Sequence, residues 1–173
     1  IIEHHQSTVI LDAYKSNPQN LKEAFKTVSL LSGYSRKIAI IRDILEKNLH
    51  KVKRNTILVL QANTSEQNLR TFLNQQQFQI LAETIVEDQN RLYEIIVVKK
   101  VEQVDPLTEK ELMFGPFNLK QATEEFYSKW KHELQNLNRV LSSVRQSKQI
   151  NTEKEEALKH SIQLIEEVLA DGN

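Results

Sequence analysis

The order of residues predicts an α/β fold: a partly parallel sheet that ends in an antiparallel strand pair and is followed by a helical hairpin. Three observations carry this. Thr56-Ile-Leu-Val-Leu60 is short, β-branched and continuously apolar, as a parallel strand covered on both faces tends to be. Phe78 to Glu87 and Leu92 to Lys100 are longer strand-like runs joined by the polar Asp88-Gln89-Asn90-Arg91, a hairpin-like connection. After Asp105-Pro106 the chain becomes wholly helical, with apolar residues at alternating three- and four-residue steps.

In chain order, Ser7 to Asp12 reads as a short strand, with Val9, Ile10 and Leu11 apolar. Asn17-Pro18 marks a turn, and Leu21 to Lys26 carries helix-favouring residues. Thr27 to Leu31 is a second apolar run, closed by Ser32-Gly33-Tyr34-Ser35. The spacing of Ile38, Ile41, Ile44, Leu45 and Leu49 then predicts an amphipathic helix. Beyond the strand at Thr56–Leu60, Thr64 or Ser65 can cap a helix bearing Leu69, Phe72 and Leu73. In the tail, Leu107-Thr108-Glu109-Lys110-Glu111 has the form of a capping box behind a hydrophobic residue, and Phe114-Gly115-Pro116 stops that short helix. Leu119, Ala122, Phe126, Trp130, Leu134, Leu137, Leu141 and Val144 form a coiled-coil-like seam. Asn151-Thr152-Glu153 can start a partner helix facing it with Leu158, Ile162, Ile165 and Leu169. These readings divide the chain into an α/β part, 1–104, and a helical hairpin, 105–173.

Composition narrows the function classes. The 173 residues carry 23 Lys+Arg and 23 Asp+Glu, so global charge gives no argument for a polyanionic partner, although local patches remain open. With no cysteine there is neither a disulfide scaffold nor a thiolate zinc site, and a reducing cytosol fits. No apolar run approaches the roughly 20 residues that span a bilayer, so no membrane partner is expected. The five histidines lie without ligand spacing, so no metal is expected. Three glycines stand where average usage gives about 12. They are far apart, so a G-x-G-x-x-G or Walker-type loop is absent.

Several blocks carry a family likeness: Leu58-Val-Leu-Gln-Ala-Asn63, Tyr93-Glu-Ile-Ile-Val-Val98, Leu107-Thr-Glu-Lys-Glu-Leu-Met-Phe-Gly-Pro116 and Trp130-Lys131-x-Glu133-Leu134. In order and spacing, from about Val28 onward, the chain resembles the second half of the bacterial tRNA (adenine-22 N1)-methyltransferase family. These are class I methyltransferases dependent on S-adenosylmethionine. The resemblance implies a Rossmann-like sheet whose last two strands form an antiparallel hairpin, followed by a helical appendage. It also implies S-adenosylmethionine as cofactor, tRNA as partner and a cytoplasmic enzyme that methylates N1 of an adenine. The N-terminal region departs from the pattern. The family's opening Asp-Ile-Gly-Ser-Asp-His loop has no match, there is no room for its third strand, and its Gly-Met-Gly-Gly corresponds here to Ser32-Gly-Tyr-Ser35. The chain is then either a fragment or a member whose cofactor-binding half is rewritten. The alternative to an enzyme is an inactive member that binds tRNA or protein through the hairpin.

By this alignment Asp12 corresponds to the acid that binds the cofactor's ribose hydroxyls, a task suited to a carboxylate; as a residue it also reads as a turn or capping aspartate. Ser32 and Gly33 fall where the cofactor is approached. Tyr34 is placed either to stack on a flipped adenine or as a loop tyrosine in water. Gln61 and Asn63 follow the carboxyl end of a strand, where open α/β sheets hold ligands; their amides suit an adenine edge, and Asn63 alternatively caps the next helix. Lys51, Lys53 and Arg54 form a basic patch at a helix end, which complementarity to the helix terminus also explains. Lys129, Lys131, Arg139 and Arg145 stud the long helix, as phosphate contacts or as solvated flanks. The exposed seam leaves a monomer or a weak dimer through the hairpin open.

Overall fold

A computed structural model describes residues 2–4, 7–9, 37–40, 52, 57–61, 65–88, 90–147 and 151–171. Two compact units result, Ile1–Lys120 and Gln121–Asn173.

In the first unit, β1 (Ile2–His4) and β2 (Ser7–Val9) form a small antiparallel sheet with Ile2 opposite Val9. β2 is the start of the strand expected from Ser7, and β1 has no counterpart among the expected elements. The main sheet has the order β3-β4-β6-β5. Its first strand corrects one expectation: helical spacing starts a helix at Ile38, but Lys37–Ile40 is a strand, β3, parallel to β4 (Ile57–Gln61). The reason is that Ile38-Ala39-Ile40 is also a short, largely β-branched run. Pairing with an apolar strand, Ile38 opposite Leu58 and Ile40 opposite Leu60, outweighs a local 3.6-residue pattern. The rest of that expected helix lies outside the described residues.

Ile57–Leu60 of β4 are buried, Ile57 and Leu58 at 0 % exposure, because both faces of the strand are covered there. Leu58 and Leu60 face one side with Phe78, Ile80, Ile96 and Val98, against Leu69 and Leu73 of the helix α1 (Glu66–Gln75). Ile57, Val59, Ile95 and Val97 form the other face. Each such side chain contributes about 1.5–3 kcal/mol on burial. Ser65 caps α1, accepting a hydrogen bond from the Asn68 N–H at 3.3 Å.

β5 (Phe78–Asp88) and β6 (Arg91–Lys100) are the expected hairpin, and β6 is antiparallel to both β4 and β5. Asn90 turns it at φ 60°, a left-handed conformation that asparagine tolerates. A bulge interrupts β5 between Ile80 and Ala82: Ile80 pairs with Val98 and Ala82 with the adjacent Val97. The extra residue shifts the alternation by one. Glu83, opposite Ile96, therefore joins the face of Phe78 and Ile80.

Beyond the sheet, Asn74 fixes the connecting segment: its Nδ2 donates to the Asp105 carbonyl at 2.9 Å, and its Oδ1 accepts from the Leu107 N–H at 3.4 Å. The capping box forms as expected. Thr108 Oγ1 accepts from the Glu111 N–H at 3.2 Å, and Glu111 Oε2 accepts from the Thr108 N–H at 2.9 Å, opening α2 (Glu109–Phe114). Gly115 ends α2, and Pro116 begins α3 (Pro116–Gln121), proline at a first helical position having no N–H to leave unpaired.

In the second unit, α4 (Glu124–Arg145) and α5 (Thr152–Ala170) pack as the expected hairpin. Leu141 of α4 and Ile162, Leu164, Ile165 and Val168 of α5 are buried. The seam expected to run unbroken from Leu119 is interrupted. Ala122 takes φ 44°, and Thr123 caps α4 by accepting from the Phe126 N–H at 3.3 Å. A threonine with a satisfied cap is worth about 1 kcal/mol, enough to end one helix and start another where the apolar spacing alone would continue.

Candidate functional site

Three features bear on function. The first is the carboxyl end of the parallel pair β3–β4, the place where open α/β sheets bind ligands. Gln61 closes β4 there, half-buried and opposite Ile95 of β6. Its amide can both donate to and accept from a purine edge. The other expected cofactor and adenine residues, Asp12, Ser32, Gly33, Tyr34 and Asn63, lie outside the described residues, as do Lys51, Lys53 and Arg54.

The second feature was not legible as a site in the sequence: a buried charge cluster that joins α1, β5, β6 and the α2–α3 connection. Arg70, Glu83 and Glu94 have fully buried side chains. Arg70 Nε donates to Glu83 Oε1 at 2.7 Å and Nη2 donates to Glu94 Oε2, while Nη1 reaches the Met113 carbonyl at 3.2 Å and that of Leu112 at 3.4 Å. Glu83 Oε2 accepts the Phe117 N–H at 2.9 Å, and Asn118 Nδ2 approaches Glu94 Oε2 at 3.4 Å. Burial opposes the charge on Arg70, but the attraction of Glu94 and Glu83 outweighs it and holds its pKa above the usual value. Burial raises the Glu83 carboxyl above the usual range, against the pull of Arg70 and the Phe117 N–H. Gly115 sits against this cluster at φ 88°; a Cβ there would lie 2.6 Å from Arg70 Nη2 and Glu83 Oε2. The Phe-Gly-Pro sequence is therefore more than a helix stop. Only glycine lets the backbone pass this close to the guanidinium.

The third feature is the set of basic residues along α4. Lys129 places its ammonium 5.5 Å from the Trp130 ring centroid. Lys131 and Arg139 are exposed. Arg145 donates from Nε to Glu155 Oε1 of α5 at 2.9 Å, and Lys159 contacts the same oxygen at 2.7 Å. Among the described residues no group of three or more acids or histidines is placed to hold a metal, and no helix is long and apolar enough to cross a membrane.

A mixed sheet with a parallel pair, closed by an antiparallel pair and followed by helices, is of the Rossmann type. A protein of the NADB-Rossmann superfamily from Streptococcus agalactiae is similar at 34% identity and TM-score 0.67, covering 94% of this chain and 78% of that one. The sequence model of the tRNA (adenine(22)-N(1))-methyltransferase family matches residues 37–167, and the chain belongs to that family. The Bacillus subtilis (strain 168) tRNA (adenine(22)-N(1))-methyltransferase is 26% identical over 140 residues, which make up 78% of this chain and 59% of that protein. A candidate tRNA (m1A22) methyltransferase of Streptococcus pneumoniae, solved in complex with S-adenosyl-L-methionine, is 29% identical at TM-score 0.64; the match covers 94% of this chain and 79% of that one.

Proposed function

We propose that the chain acts as a tRNA (adenine-N1)-methyltransferase of the cytoplasm, moving a methyl group from S-adenosylmethionine to N1 of adenine 22. The observation that carries this is the family match, which runs from β3 to α5. The S-adenosyl-L-methionine complex of the Streptococcus pneumoniae relative supports the cofactor.

Such a reaction asks little proton chemistry of the protein. When bound, S-adenosylmethionine supplies an electrophilic methyl, and adenine N1 is itself nucleophilic, so alignment and a polar wall carry much of the catalysis. In this reading Asp12 holds the ribose hydroxyls, Ser32 and Gly33 line the approach of the cofactor, Tyr34 stacks on the adenine, and Gln61 and Asn63 hold its edge. Lys51, Lys53 and Arg54, with Lys129, Lys131, Arg139 and Arg145, meet the tRNA backbone. The α/β part, 1–104, carries the reaction and 105–173 serves as an appendage. The packing of α4 on α5 uses the seam within the chain and supports a monomer.

Calorimetric titration with S-adenosylhomocysteine tests the reading. Micromolar binding that is lost in Asp12→Ala is expected. No binding by this chain while a longer chain binds would mean that it is a fragment, no binding by either would overturn the enzyme reading, and unchanged affinity in the variant would remove Asp12.

A further inference from the structure

The basic residues of the hairpin are not equivalent, and their differences single out one place on it. A cleft of about 480 Å³ lies between the end of α4 and the start of α5, lined by Arg139, Val140, Ser143, Val144, Ser147, Asn151 and Lys154. Two of the lining residues are cations and none is an acid. Val140 is 40 % exposed, leaving an apolar floor open to solvent. The Ser143 hydroxyl donates to the Arg139 carbonyl at 3.0 Å, so its oxygen keeps lone pairs for an incoming donor. Asn151 uses Oδ1 to accept the Lys154 N–H at 2.9 Å and retains its amide Nδ2 as a donor.

Lys154 is flanked by Glu153 and Glu155, neither of which lines the cleft, and Glu155 is engaged by Lys159 and Arg145, which together hold its carboxyl below the usual range. Helix periodicity places Lys129 three turns before Val140 on the same face, about 16 Å along the axis. A chain with 23 cations and 23 anions has no net field to draw in a polyanion. Its contact with nucleic acid has to come from local segregation of this kind.

We propose that this cleft seats the phosphodiester backbone of the tRNA, with Arg139 and Lys154 on phosphates and the Val140 floor under a ribose or base. This rests on the tRNA reading above, and it adds a contact from α5, whose overall acidity points away from RNA. The pair Arg139 and Lys154 straddles the two helices, so binding here also fixes the tip of the hairpin on the substrate.

Filter binding or anisotropy with tRNA as a function of salt tests it on the full chain. Each phosphate contact contributes a slope of about 0.7–0.9 in log affinity against log salt. Arg139→Ala with Lys154→Ala is therefore expected to lower the slope by about 1.4–1.8 and to weaken binding roughly 25- to 60-fold at about 0.1 M salt. Arg139→Lys with Lys154→Arg should restore it to within a few-fold, and the single control Lys159→Ala should leave it unchanged. Wild-type binding with an unaltered slope in the double alanine variant overturns the cleft and leaves the tRNA reading standing. Absence of tRNA binding by the wild type overturns both. Retained tRNA binding in the variant together with loss of binding to polyglutamate would identify an acidic protein segment as the occupant instead.

Discussion

The molecule uses the same pair of residue types in two opposite ways. In the sheet unit, Arg70 is shared by Glu83 and Glu94 with all three side chains at 0 % exposure. In the hairpin, Arg145 meets Glu155 with side chains 52 % and 16 % exposed. The two N–O distances are similar, 2.7 Å for Arg70–Glu83 and 2.9 Å for Arg145–Glu155. Geometry alone therefore does not separate them; solvent does. Water screens the hairpin pair and can replace either partner, whereas a buried charge that loses its partner has nothing to replace it. The inner cluster thus holds the α2–α3 connection on the sheet, whereas water can take the place of either partner in the outer pair.

The largest test of this contrast is Arg70→Ala. It strands two buried carboxylates and is expected to cost about 3–5 kcal/mol in denaturant-induced unfolding. A cost below about 1 kcal/mol would mean that the cluster is not what fixes the connection. Next comes Gly115→Ala, which combines a left-handed φ with a Cβ against Arg70 and Glu83 and should cost about 1–3 kcal/mol. Thr108→Ala removes the cap of α2 and should cost about 1 kcal/mol, read from the same transition.

The inner cluster also gives stability a pH dependence. Because the Glu83 carboxyl is raised in the folded state, its proton is held more tightly there than in the unfolded chain. The stability it contributes is complete below the ordinary glutamate range and declines as pH rises through the raised value. Glu83→Gln should flatten that decline, measured as melting temperature against pH. At the small end, Glu155→Gln should leave the melting temperature within experimental scatter. A clear loss there would erase the distinction between the two pairs.

Much of this was legible in the sequence because it is local. The apolar run of β4, the turn between β5 and β6, the capping box at Thr108 and the cap at Asn151 each follow from neighbouring residues. What was not legible depends on distant pairing. Strict alternation from Phe78 assigns Glu83 to the face away from Ile80; only the bulge after Ile80, seen against β6, turns it toward Arg70. In the same way, Lys37–Ile40 carries the start of a helical pattern that pairing with β4 overrides. The break at Ala122 was hidden because the apolar steps run straight through it. Of the expected site residues, Gln61 is the last residue of β4, and the α4 cations are sorted by their partners into the engaged Arg145 and the cleft-lining Arg139. That sorting needs α5 beside α4, which a one-dimensional pattern cannot supply.

The proposed methyl transfer is tested most directly by nucleoside mass spectrometry of tRNA incubated with this chain and S-adenosylmethionine. 1-Methyladenosine is expected in tRNA that carries adenine at position 22, and none when that position is guanine. Unmodified adenine-22 tRNA in the presence of folded protein would contradict it.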